Sequence, residues 1–381
     1  MIRIKSDRII IGKELFDGYL YIDGGVIADV STEARPADEE LDLTGRYVSA
    51  GFIDTHTHGA GGISFMTCTP DEVKEACGYH MRHGTTSILP TLSTCSYETM
   101  RSAVESIDAA MKSSPDCNII GAHLEGPYLS AAQCGAQSPT LITPPIREHY
   151  TALIADFPGA IARWTYAPEN DKDGEFARYI TERGIVASAG HTDAKYPDMV
   201  TAIENGCNLI THLYSATSTV TRDHGFRSLG VIESAFLRDE LFVEIIADGK
   251  HLPYDLIRMI IKVKGIDKVA LITDSLDIAG TDITEGVMSG IEYVVEDGVC
   301  KLKDRTAFAG SIATADTLIR TLTLGCGYSV AEAVSMLTDV PARIMRLDRK
   351  GALKAGYDAD ICVFDDEISI EAVFIGGKRR A

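Results

Sequence analysis

The sequence predicts an α/β protein built on a (β/α)8 TIM-like barrel, flanked by a small β-sandwich that both chain ends share. Three observations carry this expectation. Between residues 49 and 347, apolar runs of strand length alternate with helix-length amphipathic stretches, giving about eight strand–helix units over roughly 300 residues. Residues 1–48 hold β-rich segments too few to bury a core alone, and residues 348–381 hold more of the same kind. Histidines and acidic residues also recur at the ends of the apolar runs, where a barrel collects its chemistry. A doubly wound parallel sheet is the alternative architecture.

The terminal segments read as strands and turns. Ile9-Ile10-Ile11, Tyr19-Leu20-Tyr21-Ile22 before Asp23-Gly24-Gly25, and Val26 to Val30 stand at one end. After the turn Ala355-Gly356-Tyr357-Asp358 come the strand Ala359 to Phe364 and another around Ala372 to Ile375 at the other. Residues 1–48 and 348–381 therefore form one small domain, and 49–347 the catalytic barrel.

Within the barrel, Thr69-Pro70-Asp71-Glu72 signals a helix by its N-cap, its proline at the first helical position and its acidic first turn; the helix stops near Gly84. A strand follows at 86–90, a helix at 97–112, a strand at 119–125 and a helix near 146–157. Then come strand 162–167, helix 173–183, strand 185–189, helix 195–204, strands 209–213 and 242–247, helix 254–264 and strand 269–274.

Composition narrows the function. Hydrophobic residues at 45% and charged residues at 24% are ordinary globular values. A net charge of −19 disfavours nucleic acid and anionic membranes as partners, since both need a basic footprint. An anionic small substrate demands a local patch of arginines. The nine scattered cysteines, with no C-x-x-C pair, read as reduced and buried rather than as a disulfide frame. With no long apolar segment and no cleavage-site pattern at Met1 to Arg8, the expectation is a cytoplasmic protein.

The chemistry starts at His56-Thr57-His58, where strand pleating puts two imidazoles on one face at a strand end, a pincer for a divalent metal. Glu125, His191, His212, His251 and Asp274 each lie at, or just past, another expected strand end. Before Gly126-Pro127, the Glu125 carboxylate faces the barrel mouth, where it ligates one metal or bridges two. Asp274 closes Leu271-Ile272-Thr273, the position for a base that takes a proton from water and returns it to a leaving group. His80 and His83, on one helix face, and His149 read as solvated; His123 reads as lining the interior without ligating.

These motifs resemble the amidohydrolase superfamily and, more narrowly, the N-acetylglucosamine-6-phosphate deacetylase family. The resemblance rests on Gly51 to Gly59, His123-Leu124-Glu125-Gly126-Pro127, Gly135-Ala136-Gln137, Ala189-Gly190-His191-Thr192, Thr211-His212-Leu213-Tyr214, Ala247-Asp248-Gly249-Lys250-His251, Ile272-Thr273-Asp274, Ala309-Gly310-Ser311 and Gly356 to Asp360, in family order along nearly the whole chain. It implies metal ligation by Glu125, His191 and His212, with His56 and His58 completing a site for a second ion. Zinc is the first choice, with iron or another divalent ion as alternatives. It also implies catalysis by Asp274, substrate contact by His251, and Gln137 near the acetyl carbonyl. The activity implied is hydrolysis of an N-acetylamino sugar 6-phosphate, and the assembly implied is a homodimer. The lack of a lysine at the Glu125 position argues against the carbamylated-lysine members.

The chain departs from the family pattern near the expected phosphate site. Ser215-Ala216-Thr217 stands where the family has an Asn-Ala-Met-like run, and the following loop is longer, adding Arg222 and His224 to Arg227. Ser215, Ala216, Arg222, His224 and Arg227 are thus the candidates for substrate binding, the last three as the basic patch that an anionic substrate demands. Deacetylation of N-acetylgalactosamine-6-phosphate, or of another N-acetylated sugar or amide, is the alternative activity.

Overall fold

The computed structural model describes residues 1–113, 117–288 and 291–381. Eight parallel strands, Phe52–Thr57, Thr85–Leu92, Ala122–Glu125, Ile161–Tyr166, Val186–Ala189, Leu209–Ile210, Phe242–Ile246 and Val269–Ile272, stand side by side in chain order. The order never reverses, which separates a barrel from a doubly wound sheet. Last and first strands close the ring: the Asp274 amide donates to the His56 carbonyl at 2.9 Å and the His58 amide to the Ser275 carbonyl at 2.7 Å. The third strand has a prelude, Asn118–Ile119, that pairs with the same neighbour. Gly121 separates the two pieces at φ 127°, and a Cβ there would stand 2.7 Å from that of Ala162.

Every residue of Phe52–Thr57 and of Thr85–Leu92 is buried, as parallel strands covered on both faces require. The helices that cover them sit close to their sequence signals. Pro70–Arg82 starts on a capping box in which Thr69 Oγ1 accepts from the Glu72 amide and the Glu72 carboxylate accepts from the Thr69 amide. Tyr97–Lys112 starts on Ser96, and Arg147–Asp156, Glu175–Thr181, Tyr196–Glu204 and Tyr254–Lys264 continue the ring.

Below the C-terminal ends of its strands the barrel interior is polar rather than aliphatic. Arg163 and Glu244, both wholly buried, form a two-pronged ion pair, with Nη2 2.6 Å from Oε2. Thr55 Oγ1 donates to Glu244 Oε1 at 2.7 Å, and Arg163 also donates to the Thr55 carbonyl, Ser188 Oγ and Thr211 Oγ1. All these donors and acceptors are met within the protein, which makes a buried charge pair tolerable.

The flanking domain is an eight-stranded sheet with strands from both ends of the chain. Strand Ile2–Ile11 is its branch point. One edge pairs with Glu14–Asp23; the other pairs first with Glu39–Asp42 and then, beyond an irregularity between Ser6 and Ile9, with Tyr47–Ala50. The C-terminal strands Ile361–Phe364 and Ile370–Ile375 extend the sheet beyond Tyr47–Ala50. Ile4, Ile9, Leu20, Val48, Ile361, Val363 and Phe374 meet in one apolar cluster.

Several elements interrupt the expected strand–helix alternation. A hairpin, Thr221–Asp223 with Phe226–Ser228, follows the sixth strand. A four-stranded antiparallel sheet, Glu285–Met288, Ile291–Glu296, Val299–Leu302 and Phe308–Gly310, is inserted after the eighth. Its Asp297-Gly298 turn has both residues at positive φ, 58° and 77°; Asp-Gly between β-rich runs is a hairpin signal that stands apart from the strand–helix alternation. His80 also differs from expectation. It is buried, with Nε2 3.1 Å from Thr57 Oγ1 and 3.0 Å from the Gly59 carbonyl, because the helix that carries it packs beneath the His56–His58 strand end. His83 is half-buried and lies 3.2 Å from Asp316, and His149 stacks on Tyr97.

Candidate metal centre and active site

The strand ends deliver four imidazoles to one carboxylate. Glu125 Oε1 lies 2.9 Å from His212 Nε2, 3.1 Å from His191 Nε2 and 3.4 Å from His56 Nε2, and Glu125 Oε2 lies 3.4 Å from His58 Nε2. Asp274 Oδ1 completes the cluster, 3.3 Å from His56 Nε2 and 3.2 Å from His58 Nε2. His191, His212 and Asp274 turn inward through left-handed backbone, with φ of 45°, 29° and 48°. Non-glycine residues there cost on the order of 1–3 kcal/mol each, strain retained where a side chain is needed.

The donor set suits a metal. Around a tetrahedral ion with bonds of about 2.0–2.1 Å, neighbouring donors sit about 3.3 Å apart, the range this cluster spans. The far side of each ring points the same way. His191 Nδ1 donates to the Gln133 carbonyl at 3.0 Å, His212 Nδ1 donates to the Ser215 carbonyl at 3.1 Å, and His58 Nδ1 lies 3.1 Å from Ser93 Oγ. A proton held on Nδ1 leaves the Nε2 lone pair facing the cluster, the tautomer that a ligand needs. His56 Nδ1 has no such partner. Two overlapping sets result, Glu125 with His191 and His212, and Glu125 with His56 and His58.

Electrostatics keep the acids charged. Burial alone would raise Glu125, but the imidazoles of His56, His191 and His212 hold it well below the usual carboxylate range. Asp274 is lowered in the same way against its burial, by His56 and His58. His123 is pushed far down by burial and by the Arg163 charge, so it is neutral between Thr91 Oγ1 at 3.1 Å and Thr165 Oγ1 at 2.7 Å, lining the interior.

A cavity of about 270 Å³ opens above the cluster, lined among others by Gln137, Ser215, Ala216, His251 and Asp274. Gln137 is clamped at both ends of its amide: Oε1 accepts from the Thr94 amide at 2.7 Å, and Nε2 donates to Glu125 Oε2 at 2.6 Å. His251 Nδ1 donates to Asp248 Oδ2 at 2.7 Å, while Asp248 Oδ1 caps the amides of Lys250 and His251. Asp248 went without a role in the sequence reading, although an acid three residues before a histidine at a strand end is a signal for it. Arg222, His224 and Arg227 lie elsewhere, on the exposed hairpin and outside the cavity lining.

Residues 47–380 match the amidohydrolase family. The chain belongs to that family. Among its curated relatives, the N-acetylglucosamine-6-phosphate deacetylase of Caenorhabditis elegans is 31% identical over 95% of this chain and 90% of its own length. The N-acetylgalactosamine-6-phosphate deacetylase of Shewanella sp. is 29% identical over 96% of this chain and 90% of its own. The crystal structure of N-acetylglucosamine-6-phosphate deacetylase from Pasteurella multocida superposes with a TM-score of 0.93 at 29% identity, covering 100% of this chain and 99% of that one. For this amidohydrolase, among the described residues, no helix is long and apolar enough to cross a membrane.

Proposed function

We propose that this amidohydrolase removes the acetyl group from N-acetylglucosamine-6-phosphate, giving glucosamine-6-phosphate and acetate. The observation that carries the reading is the Asp274 carboxylate, set against the His56, His58 and Glu125 cluster below a sugar-sized cavity, in a chain that aligns with deacetylases along nearly its whole length. N-acetylgalactosamine-6-phosphate is the second reading, favoured by the Shewanella relative.

Glu125, His191 and His212 would hold one divalent ion, and His56 and His58 with Glu125 a second. Zinc matches the imidazole-rich set, and iron is the alternative. A bound ion supplies polarisation of the acetyl carbonyl and lowers the pKa of water to about 7. Asp274 takes the proton from the attacking water as its oxygen bonds to the acetyl carbon. The second amide hydrogen of Gln137, or a ring N–H of His251, donates to the carbonyl oxygen as charge grows there. Asp274 then passes the proton to the sugar nitrogen as the C–N bond breaks.

The phosphate requires cations, and the exposed hairpin, outside the cavity lining of its own chain, offers them to a site across a subunit interface. Arg222 and Arg227 face each other in register, with no carboxylate in ion-pair range of either among the described residues. Like charges opposite each other in a hairpin destabilise it unless an anion is shared. Phe226, at the tip, is 79% exposed. A cytoplasmic homodimer in which this hairpin is covered by a second subunit accounts for both features. The test is acetate release from N-acetylglucosamine-6-phosphate, N-acetylgalactosamine-6-phosphate and the two unphosphorylated sugars, side by side. Turnover should be fastest with the glucosamine phosphate. Equal rates with and without phosphate would remove the arginines from the site, and no acetate from any of the four would overturn the function.

A further inference from the structure

We propose that Phe308, on the inserted four-stranded sheet, is a specificity-determining residue: its ring forms the apolar wall on which the C–H face of the sugar ring stacks. The inference rests on the amino-sugar reading above and adds the surface that recognises the ring itself. The polar floor of the cavity accounts for the amide. It leaves a pyranose, whose faces carry C–H groups, without an apolar partner.

The remaining wall is apolar and comes largely from the insertion. Ala307, Phe308, Ala309 and Gly310 line the cavity, joined by Leu276 and Ile246. Phe308 packs against His251 at a ring-centroid distance of 4.9 Å with planes inclined at 60°, yet it remains 37% exposed. A large aromatic ring left this open on the wall of a cavity is the arrangement of a ligand-binding surface rather than of a core.

The wall is tied to the catalytic carboxylate. The Ser311 amide donates to the Asp274 carbonyl at 3.0 Å, and the Leu276 amide donates to the Ser311 carbonyl at 2.9 Å. The strand Phe308–Gly310 thus runs directly into backbone hydrogen bonds with Asp274 and Leu276. Gly310, at φ 147°, makes the approach possible, since a Cβ there would lie 2.8 Å from the Leu276 side chain. Leu276 and Ile278 also share an apolar cluster with Tyr293, Cys300 and Ala309 of the insertion. The stacking surface and the proton-transferring group are therefore held at a fixed separation, so a ring seated on Phe308 places its acetamido group over the cluster.

The test uses the full-length, metal-loaded enzyme with Phe308→Ala, Phe308→Leu and Phe308→Tyr. In Ala and Leu variants, KM for N-acetylglucosamine-6-phosphate and the inhibition constant of glucosamine-6-phosphate should rise together, on the order of five- to tenfold, with kcat within about twofold. Phe308→Tyr should retain both. The inhibition constant of acetohydroxamate, which engages the metal but has no ring, should not move. Leu keeps the apolar bulk of the wall, so it separates loss of the aromatic face from collapse of the insertion. Unchanged constants for the ring ligands, or equal weakening of acetohydroxamate, would overturn the proposal while leaving the deacetylase reading intact. A wild-type enzyme inactive on every N-acetylhexosamine would overturn that reading, and this one with it.

Discussion

Replacing Asp274 by Asn isolates proton transfer from everything else at the site. The substitution preserves shape, and asparagine tolerates the left-handed backbone, φ 48°, better than most residues. The hydrogen bonds that close the barrel here come from backbone atoms, the Asp274 amide to the His56 carbonyl and the Ser311 amide to the Asp274 carbonyl, so they survive. Neither carboxylate-centred ligand set includes Asp274. What disappears is the one ionised group, 3.2–3.3 Å from His56 and His58, able to accept a proton from water and return it to nitrogen. General acid–base groups contribute about 10²–10⁴-fold, so kcat should fall by that factor, a barrier increase of about 3–5 kcal/mol. The assay pairs acetate release with elemental analysis of the same preparation. Turnover within tenfold of wild type would refute the role, and so would a loss of metal parallel to the loss of activity, since Asp274 would then be acting as a ligand.

Three further outcomes follow from the geometry. Glu125→Gln removes the carboxylate shared by both ligand sets, so bound metal should drop below one ion per chain; two retained ions would contradict the bridging arrangement. Arg163→Met strands the Glu244 charge in the barrel interior, and unfolding in urea should show a loss of about 3–5 kcal/mol, partly restored in Arg163→Met/Glu244→Met; a single variant as stable as wild type would mean the pair holds nothing together. Burial lowers His80 from 6.5 to about 4, so its neutral form stabilises the fold above pH 6.5 and that contribution, about 3 kcal/mol, is lost as pH falls through 4. Between pH 7 and 4.5 the wild type should therefore lose more urea resistance than His80→Gln, and parallel losses would place the acid sensitivity elsewhere.

Much of this protein was legible in one dimension, for a physical reason. Helix caps such as Thr69 with Glu72, and apolar runs such as Leu209-Ile210, act over a few residues, so local pattern located them. His191, His212 and Asp274 are readable as candidate site residues because each follows such a run, and a parallel barrel gathers strand ends on one face. Ligand type and strand-end position, both local properties, were determined by the sequence alone.

Other features depend on contacts between distant segments. Arg163 and Glu244 lie 81 residues apart, and only barrel closure reveals that each is the other's buried partner. His80 looked solvated because helical spacing does not report which part of the barrel end the helix will cover. Gln137 finds Glu125 through the fold of its loop, and Phe308 reaches the cavity only because the insertion's last strand hydrogen-bonds beside Asp274. The sequence by itself determined which groups could do chemistry and in what order they appear. The tertiary structure decided which of them share an oxygen atom, which are dry and which wall the substrate meets, because distances between strand ends, burial and charge pairing exist only once the ring is closed.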